Sequence, residues 1–95
     1  MATVLTYPGG TEYRGDVVGD LPNGTGQLCL PTGVVCTGHF VDGEANGLAV
    51  QRMPNGDRYV GHFKGGRRYG AGTFYFANGM QVSGQWLDGV YWRHR

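Results

Sequence analysis

Several features that carry common functions are scarce in this chain of 95 residues. Two cysteines are too few for a disulfide framework or a cysteine-rich metal site. The formal net charge is only +1, whereas domains dedicated to nucleic acid are strongly basic. No apolar run approaches the ~18 residues of a membrane-spanning helix, and the N-terminus lacks the basic and apolar regions of a signal peptide. We therefore expect a soluble, intracellular protein that does not bind nucleic acid.

Glycine, in contrast, is abundant, with 19 residues in the chain against an ordinary usage of ~7%. A chain of this composition is not helical throughout. Disorder is not expected either, because six tyrosines, four phenylalanines and two tryptophans supply large groups for packing. The length fits one small domain, whose thin core favours either a very regular fold or cover by a partner.

The glycines recur at a fixed step of 23 residues, which indicates a structural repeat rather than flexibility. Large apolar residues keep the same step. The glycine series are Gly15, Gly38, Gly61 and Gly84; Gly10, Gly33, Gly56 and Gly79; Gly43, Gly66 and Gly89; and Gly24, Gly47 and Gly70, with Gly26 and Gly72 two places on and Ala49 between them. The apolar series are Tyr13, Cys36, Tyr59 and Val82, and, four places later, Val17, Phe40, Phe63 and Trp86.

We divide the chain accordingly, as one domain over residues 1–95. It comprises a partial unit 1–12, the units 13–35, 36–58 and 59–81, and a truncated unit 82–95.

Each unit has the local pattern of a β-hairpin. Residues 59–63 alternate, with Tyr59 and Phe63 on one face, and residues 73–76 form a second β-prone run. Pro-Thr-Gly, Pro-Asn-Gly and Ala-Asn-Gly lie between such runs and are typical of turns that need a positive φ. The pattern predicts strand, turn, strand and a wider loop. Glycines inside strands are explained if large rings from neighbouring units lie over them.

From about Tyr7 to Gly89 the units resemble the MORN repeat (membrane occupation and recognition nexus), with its Tyr-x-Gly-x-Phe/Trp opening and later paired glycines. Asp20, Cys36 and Val82 depart from that pattern. The resemblance implies an all-β fold in which antiparallel hairpins stack into a single elongated, twisted and grooved sheet. It also implies a non-catalytic scaffold within a larger cytoskeletal assembly, such as a cilium, flagellum or axoneme, because members are mostly scaffold or interaction modules.

No catalytic, cofactor or metal site is predicted. His39 and His62 are equivalent repeat positions near Cys36, but equivalent positions in successive hairpins are ~10 Å apart, too far to share a zinc ion. Cys29 and Cys36 flank a turn, and either a cross-strand disulfide or two small apolar side chains fits the sequence. The Gly-x-Gly pairs precede no helix, which a phosphate-binding loop requires.

We therefore expect the function to depend on surfaces that bind other molecules. The stripe of matched rings is expected to divide between the core and a groove for a partner, and the last unit is expected to contact a partner or to fray. Open sheet edges also invite cover by a partner. The candidate partner-binding residues are Tyr13, Phe40, Tyr59, Phe63, Trp86, Tyr91 and Trp92.

The charges are unevenly distributed along the chain. Residues 1–50 carry five acidic side chains and one basic, whereas residues 51–95 carry seven basic and two acidic. The basic half suggests either a solvated rim or a site for an anionic partner, so a membrane-recruiting module that binds anionic phospholipids is the alternative to a cytoskeletal scaffold. The candidate residues for an anionic partner are Arg52, Arg58, Lys64, Arg67 and Arg68.

Overall fold

A computed structural model describes residues 3–94 of the chain, with side chains for residues 3–91. This part forms nine β-strands in one sheet, whose spatial order follows the chain order. No helix in it is long and apolar enough to cross a membrane. The strands are β1 Thr3–Thr6, β2 Glu12–Val18, β3 Leu21–Cys29, β4 Val35–Val41, β5 Glu44–Arg52, β6 Arg58–Lys64, β7 Arg67–Tyr75, β8 Gln81–Leu87 and β9 Val90–His94.

Every neighbouring pair of strands is antiparallel, and β1 and β9 lie at the two open edges. The extents of 39 × 24 × 22 Å make the sheet longer than it is wide. The prediction of an all-β sheet of stacked antiparallel hairpins is therefore confirmed. Each of the three full units contributes one seven-residue strand and one nine-residue strand, for example β6 and β7 in the unit 59–81.

Two kinds of turn alternate along the sheet. Five-residue loops at one end contain the predicted turn sequences, as in residues 53–57, where the N–H of Met53 donates to the carbonyl of Asp57 at 2.9 Å. At the other end of the sheet each connection has only two residues. The prediction of a wider loop within each unit is therefore wrong. Asp42 and Gly43 both have positive φ, 48° and 91°, which a tight type I′ hairpin requires.

The two-residue turns also join successive hairpins. The N–H of Gly43 donates to the carbonyl of Pro22 at 2.9 Å, and the N–H of Gly66 donates to the carbonyl of Ala45 at 3.0 Å. Each turn is thereby attached to the second strand of the preceding hairpin. The N–H of Gly89 donates in the same way to the carbonyl of Arg68, so all three glycines of the series Gly43, Gly66 and Gly89 make this contact.

One face of the sheet carries the core. Side chains alternate between the two faces of a strand, and in β6 the inward residues Tyr59, Gly61 and Phe63 are buried whereas Arg58 and Lys64 are exposed. The sheet has no second layer within residues 3–94, so the rings of this face cover one another. The buried apolar residues are Tyr13, Cys36, Phe40, Ala45, Ala49, Tyr59, Phe63 and Trp86.

Two of the in-strand glycines, Gly26 and Gly72, are explained by the tyrosines that open their units. A Cβ placed on Gly72 would collide with the hydroxyl and ring carbons of Tyr59, and a Cβ on Gly26 would collide in the same way with Tyr13. The Tyr59 hydroxyl then donates to the carbonyl of His62 at 3.1 Å. The predicted packing of rings over backbone is thus present, although each ring covers a glycine of its own unit rather than of a neighbour.

The two cysteines face opposite sides of the sheet. Cys36 lies opposite Leu28 and Cys29 lies opposite Val35, so the two positions are offset by one residue across β3 and β4. Both thiols are free, and Cys36 is buried. The structure therefore places two small apolar side chains in the sheet and no disulfide.

We expect the substitution Gly72→Ala to reduce the free energy of unfolding by about 1–3 kcal/mol, because the new methyl displaces the Tyr59 ring. The same methyl should cost less than about 1 kcal/mol in a Tyr59→Cys background, which reproduces the natural pair of Cys36 and Ala49. Urea denaturation of the four proteins in this cycle measures both costs. An equal cost of the methyl in both backgrounds would contradict the ring-over-glycine explanation.

Candidate functional site

The predicted stripe of rings lies on the inward face, but it is core rather than open surface. Tyr13, Phe40 and Tyr59 are 0% exposed, and Phe63 and Trp86 are also buried. These rings form the floor of the face and leave almost no area for a partner. The expected division between core and contact is therefore corrected in favour of the core.

The rings pack edge to face in a repeating arrangement. Tyr13 meets Phe40 with ring centroids 5.2 Å apart and planes at 78°, and Tyr59 meets Trp86 at 5.1 Å and 79°. Both pairs join the opening position of one unit to the ring position of the next unit. Such contacts add about 0.5–1.5 kcal/mol beyond the burial of area.

The middle unit, residues 36–58, lacks the opening aromatic ring because Cys36 occupies that position. Phe63, which would receive the missing ring, instead borders a cavity of about 150 Å³. The cavity opens on the inward face, and we call it the Cys36 cavity. Its lining includes the apolar residues Leu28, Leu30, Val34, Cys36, Phe40, Ala45 and Phe63 and the polar residues Glu44 and Gln51.

The lining of the Cys36 cavity is largely apolar. Burial raises the pKa of the Cys36 thiol to about 11, so this group is neutral at physiological pH. A neutral buried thiol behaves as a small hydrophobe rather than as a nucleophile or a metal ligand. The Cys36 thiol therefore contributes an apolar surface to the cavity.

Arg68 stacks over the rings of the inward face. Its guanidinium carbon lies 5.0 Å from the centroid of Tyr59 and 5.2 Å from that of Trp86. Its Nε and Nη2 donate to Oε1 of Gln51 at 3.0 and 2.7 Å. Burial lowers the pKa of Arg68, and the nearby Tyr59 opposes that shift.

This placement corrects the sequence prediction for Arg68, which belongs to the core face and not to a free basic rim. The residue occupies the repeat position of Pro22 and Ala45, both of which are buried. Two-residue alternation from Phe74 back along β7 also points its side chain inward. Either signal could have revealed it from the sequence.

The other four predicted cations lie in pairs at opposite ends of the strands, not in one cluster. Arg52 and Arg58 face each other beside the loop 53–57, and Lys64 and Arg67 face each other beside the two-residue turn. Arg58 and Lys64 stand at the two ends of β6, six residue steps or ~20 Å apart. No single surface therefore combines all of the predicted cations.

The last strand is paired and not frayed over the residues that the structure describes. Tyr91 of β9 lies opposite Trp86 of β8, and their ring centroids are 5.2 Å apart. Tyr91 is partly exposed beside Phe74 and Val82. The side chain of Trp92, the other predicted anchor, lies outside the described residues.

His39 and His62 project from the outer face on β4 and β6, with β5 between them. Nδ1 of His39 lies 3.2 Å from the carbonyl oxygen of Asn46. Among the side chains of residues 3–91, no three histidines, cysteines or carboxylates are grouped as ligands of a metal ion would be.

Comparison with known families agrees with this geometry. A model of the MORN repeat matches residues 13–35, 36–58 and 59–81, which is most of the chain and the same three units that the glycine step defines. The chain belongs to the MORN-repeat family. No curated protein matches the sequence significantly. MORN repeats are generally non-enzymatic modules of interaction with proteins or membranes.

We expect Arg68→Ala to reduce the free energy of unfolding by about 1–3 kcal/mol, because it removes the stacked guanidinium and leaves Gln51 unpaired. The adjacent and exposed Arg67 is the matched control, and Arg67→Ala should change stability by no more than about 0.5 kcal/mol. Chemical denaturation measures both variants. Equal effects of the two substitutions would refute the assignment of Arg68 to the core.

Proposed function

We propose that this MORN protein is a non-catalytic scaffold that binds other proteins within a cytoskeletal assembly such as a ciliary axoneme. The observation that carries the proposal is the number of large apolar side chains that remain exposed. Within residues 3–91, twelve large apolar side chains are exposed whereas eight apolar side chains are buried. A single-layer sheet leaves such side chains uncovered, and burying them against a partner protein would be favourable.

The outer face supports protein contact in particular. Leu48 is 64% exposed on β5, and Val60, opposite Val50 on the neighbouring strand, continues the apolar area between the histidines and the cations. A surface with aliphatic and basic groups interspersed resembles a protein interface more than a catalytic cleft. The cytoskeletal setting is inferred from the family, whose members are mostly scaffolds, and the cytoplasmic location follows from that inference.

The substitution Leu48→Asp tests the scaffold proposal. A tagged full-length chain is expressed in a ciliated cell, and its share in the detergent-insoluble cytoskeletal fraction is measured. We expect the wild type to sediment with that fraction and Leu48→Asp to reduce the share about five-fold, as the loss of ~1 kcal/mol of contact would.

Asn46→Asp is the matched control, since it adds the same charge to an exposed position of the same face and strand. It should sediment as the wild type does. Recovery of the wild type in the membrane fraction, or free in the soluble fraction, would refute the scaffold proposal.

A second candidate function, recruitment to anionic membranes, is favoured by the ends of the two-residue turns. Lys64 and Arg67 stand at one such turn, and the flanking turns expose Val41 on one side and Leu87 and Val90 on the other. Cations beside exposed aliphatic side chains are suited to the surface of an anionic membrane, where the cations meet lipid headgroups and the aliphatic groups meet the acyl chains. Each of the two cations contributes ~1 kcal/mol of attraction to an anionic membrane. The number of turns that reach the membrane together is limited, because a sheet twist of ~20–25° per strand prevents all the turns from facing one plane.

Charge reversal at each end of the strands tests this candidate. Lys64→Glu with Arg67→Glu should abolish sedimentation with vesicles that contain phosphatidylserine, and Arg52→Glu with Arg58→Glu at the opposite end should leave it unchanged. Binding of the wild type should fall steeply with added salt, because it depends on charge. Equal binding to neutral phosphatidylcholine vesicles would contradict the membrane candidate.

A further inference from the structure

We propose that Arg68 and the aromatic groove beside it form a binding site for an acidic side chain of the partner protein. The inference rests on the proposed protein-binding function and names the chemistry of one contact within it. The groove is a space of about 240 Å³ on the inward face along β7, β8 and β9, and we call it the Arg68 groove. Its lining residues are Arg68, Phe74, Phe76, Val82, Trp86 and Tyr91.

The guanidinium of Arg68 carries a charge that the described part of the chain does not neutralise. Its Nε and Nη2 both donate to the amide oxygen of Gln51, which is neutral. Among the side chains that the structure describes, residues 3–91, no carboxylate forms an ion pair with it. A half-buried charge among rings has lost part of its hydration, and an opposite charge placed beside it is favourable for that reason. A carboxylate of the partner would supply that charge.

The fold does not require this polar pair. The repeat equivalents of Arg68 are Pro22, Ala45 and Tyr91, and those of Gln51 are Leu5, Leu28 and Phe74. None of these six residues is charged, and the hairpin of β4 and β5, with Ala45, has the same bulged register as the hairpin of β6 and β7, with Arg68. The cation is therefore a local feature of one unit rather than a requirement of the sheet.

The guanidinium keeps donors for a second acceptor. Arginine has five N–H groups, and Gln51 uses the Nε–H and one N–H of Nη2. No buried side-chain nitrogen of residues 3–91 lacks a hydrogen-bond partner, so the other N–H groups of Arg68 reach solvent. The remaining N–H groups of Nη1 and Nη2 form the end of the fork, which binds a carboxylate through two parallel hydrogen bonds.

The rings beside Arg68 suit the hydrocarbon part of an acidic side chain. The guanidinium carbon lies 5.2 Å from the ring centroids of both Phe74 and Trp86, so a carboxylate that reaches it places its CH₂ groups against these rings. A cationic side chain is disfavoured, because Arg68 already stacks on the same rings. Phosphate groups are generally bound by clusters of arginines, and terminal carboxylates by nests of backbone N–H groups, and the Arg68 groove offers one guanidinium.

Two substitutions of Gln51 separate a closed site from an open one. Gln51→Glu supplies a carboxylate from within the chain, at the place where Oε1 of Gln51 lies 2.7 Å from Nη2, and so neutralises Arg68. Gln51→Leu is the matched control, because it introduces the residue found at the equivalent Leu28 and leaves the charge unpaired. Arg68→Met removes the charge and keeps an apolar side chain over the rings.

The probe is the blocked peptide N-acetyl-Leu-Glu-Leu amide, and the neutral N-acetyl-Leu-Gln-Leu amide is its control. Each is titrated into the full chain and followed by the NMR shift of the Trp86 indole N–H. We expect the wild type and Gln51→Leu to bind the glutamate peptide about 5- to 10-fold more tightly than the glutamine peptide. The preference should fall below about 2-fold in Gln51→Glu and in Arg68→Met.

The proposal is overturned if the wild type binds the two peptides equally, or if Gln51→Glu keeps the full preference. It is also overturned if N-acetyl-Leu-Gln-Leu with a free terminal carboxylate binds as tightly as the glutamate peptide, since the groove would then take a chain terminus.

The same variants connect the site to the scaffold function. In the ciliated cell, Gln51→Glu should be depleted from the cytoskeletal fraction about five-fold, whereas Gln51→Leu should be retained. A folded Gln51→Glu variant that enters this fraction as fully as the wild type overturns the Arg68 site and leaves the scaffold function standing. Absence of the wild type itself from that fraction refutes the scaffold function, and the peptide titrations still decide whether the groove binds a carboxylate.

Discussion

The structure depends on the close approach of a tyrosine ring to the backbone of a glycine in the neighbouring strand. Tyr59 reaches over Gly72 to donate its hydroxyl to a backbone carbonyl, and Tyr13 does the same over Gly26. The contact buries a large ring on a sheet that has no second layer to cover it. It also fixes which face points inward, because a shift of one residue would turn every ring to the other side.

The same constraint explains why Cys36 and Ala49 occur together. Where the opening ring is absent, the position below it no longer needs to be glycine, and the methyl of Ala49 is accommodated at 4% exposure. The two departures from the repeat are therefore one structural change. It removes a core ring without breaking strand pairing, since β4 and β5 keep the register and the bulge of the other hairpins.

Much of the fold could be predicted from the sequence because a repeat shows each constraint several times. The 23-residue step located the units, and alternation identified the inward rings such as Phe63. The turns were harder, since Lys64, Gly65 and Arg67 look like loop residues until both central positions are seen at positive φ. Arg68 was misplaced because a charged residue is rarely buried, and only stacking on Tyr59 and pairing with Gln51 explain its position.

A sheet in which each hairpin contacts only its neighbours tolerates local change, as other repeat proteins do. Replacing the ring of one unit costs the contacts of that unit and leaves the rest of the ladder intact. At Cys36 the missing ring leaves a cavity of about 150 Å³ beside Phe63, and the pairing of β4 with both of its neighbouring strands is kept.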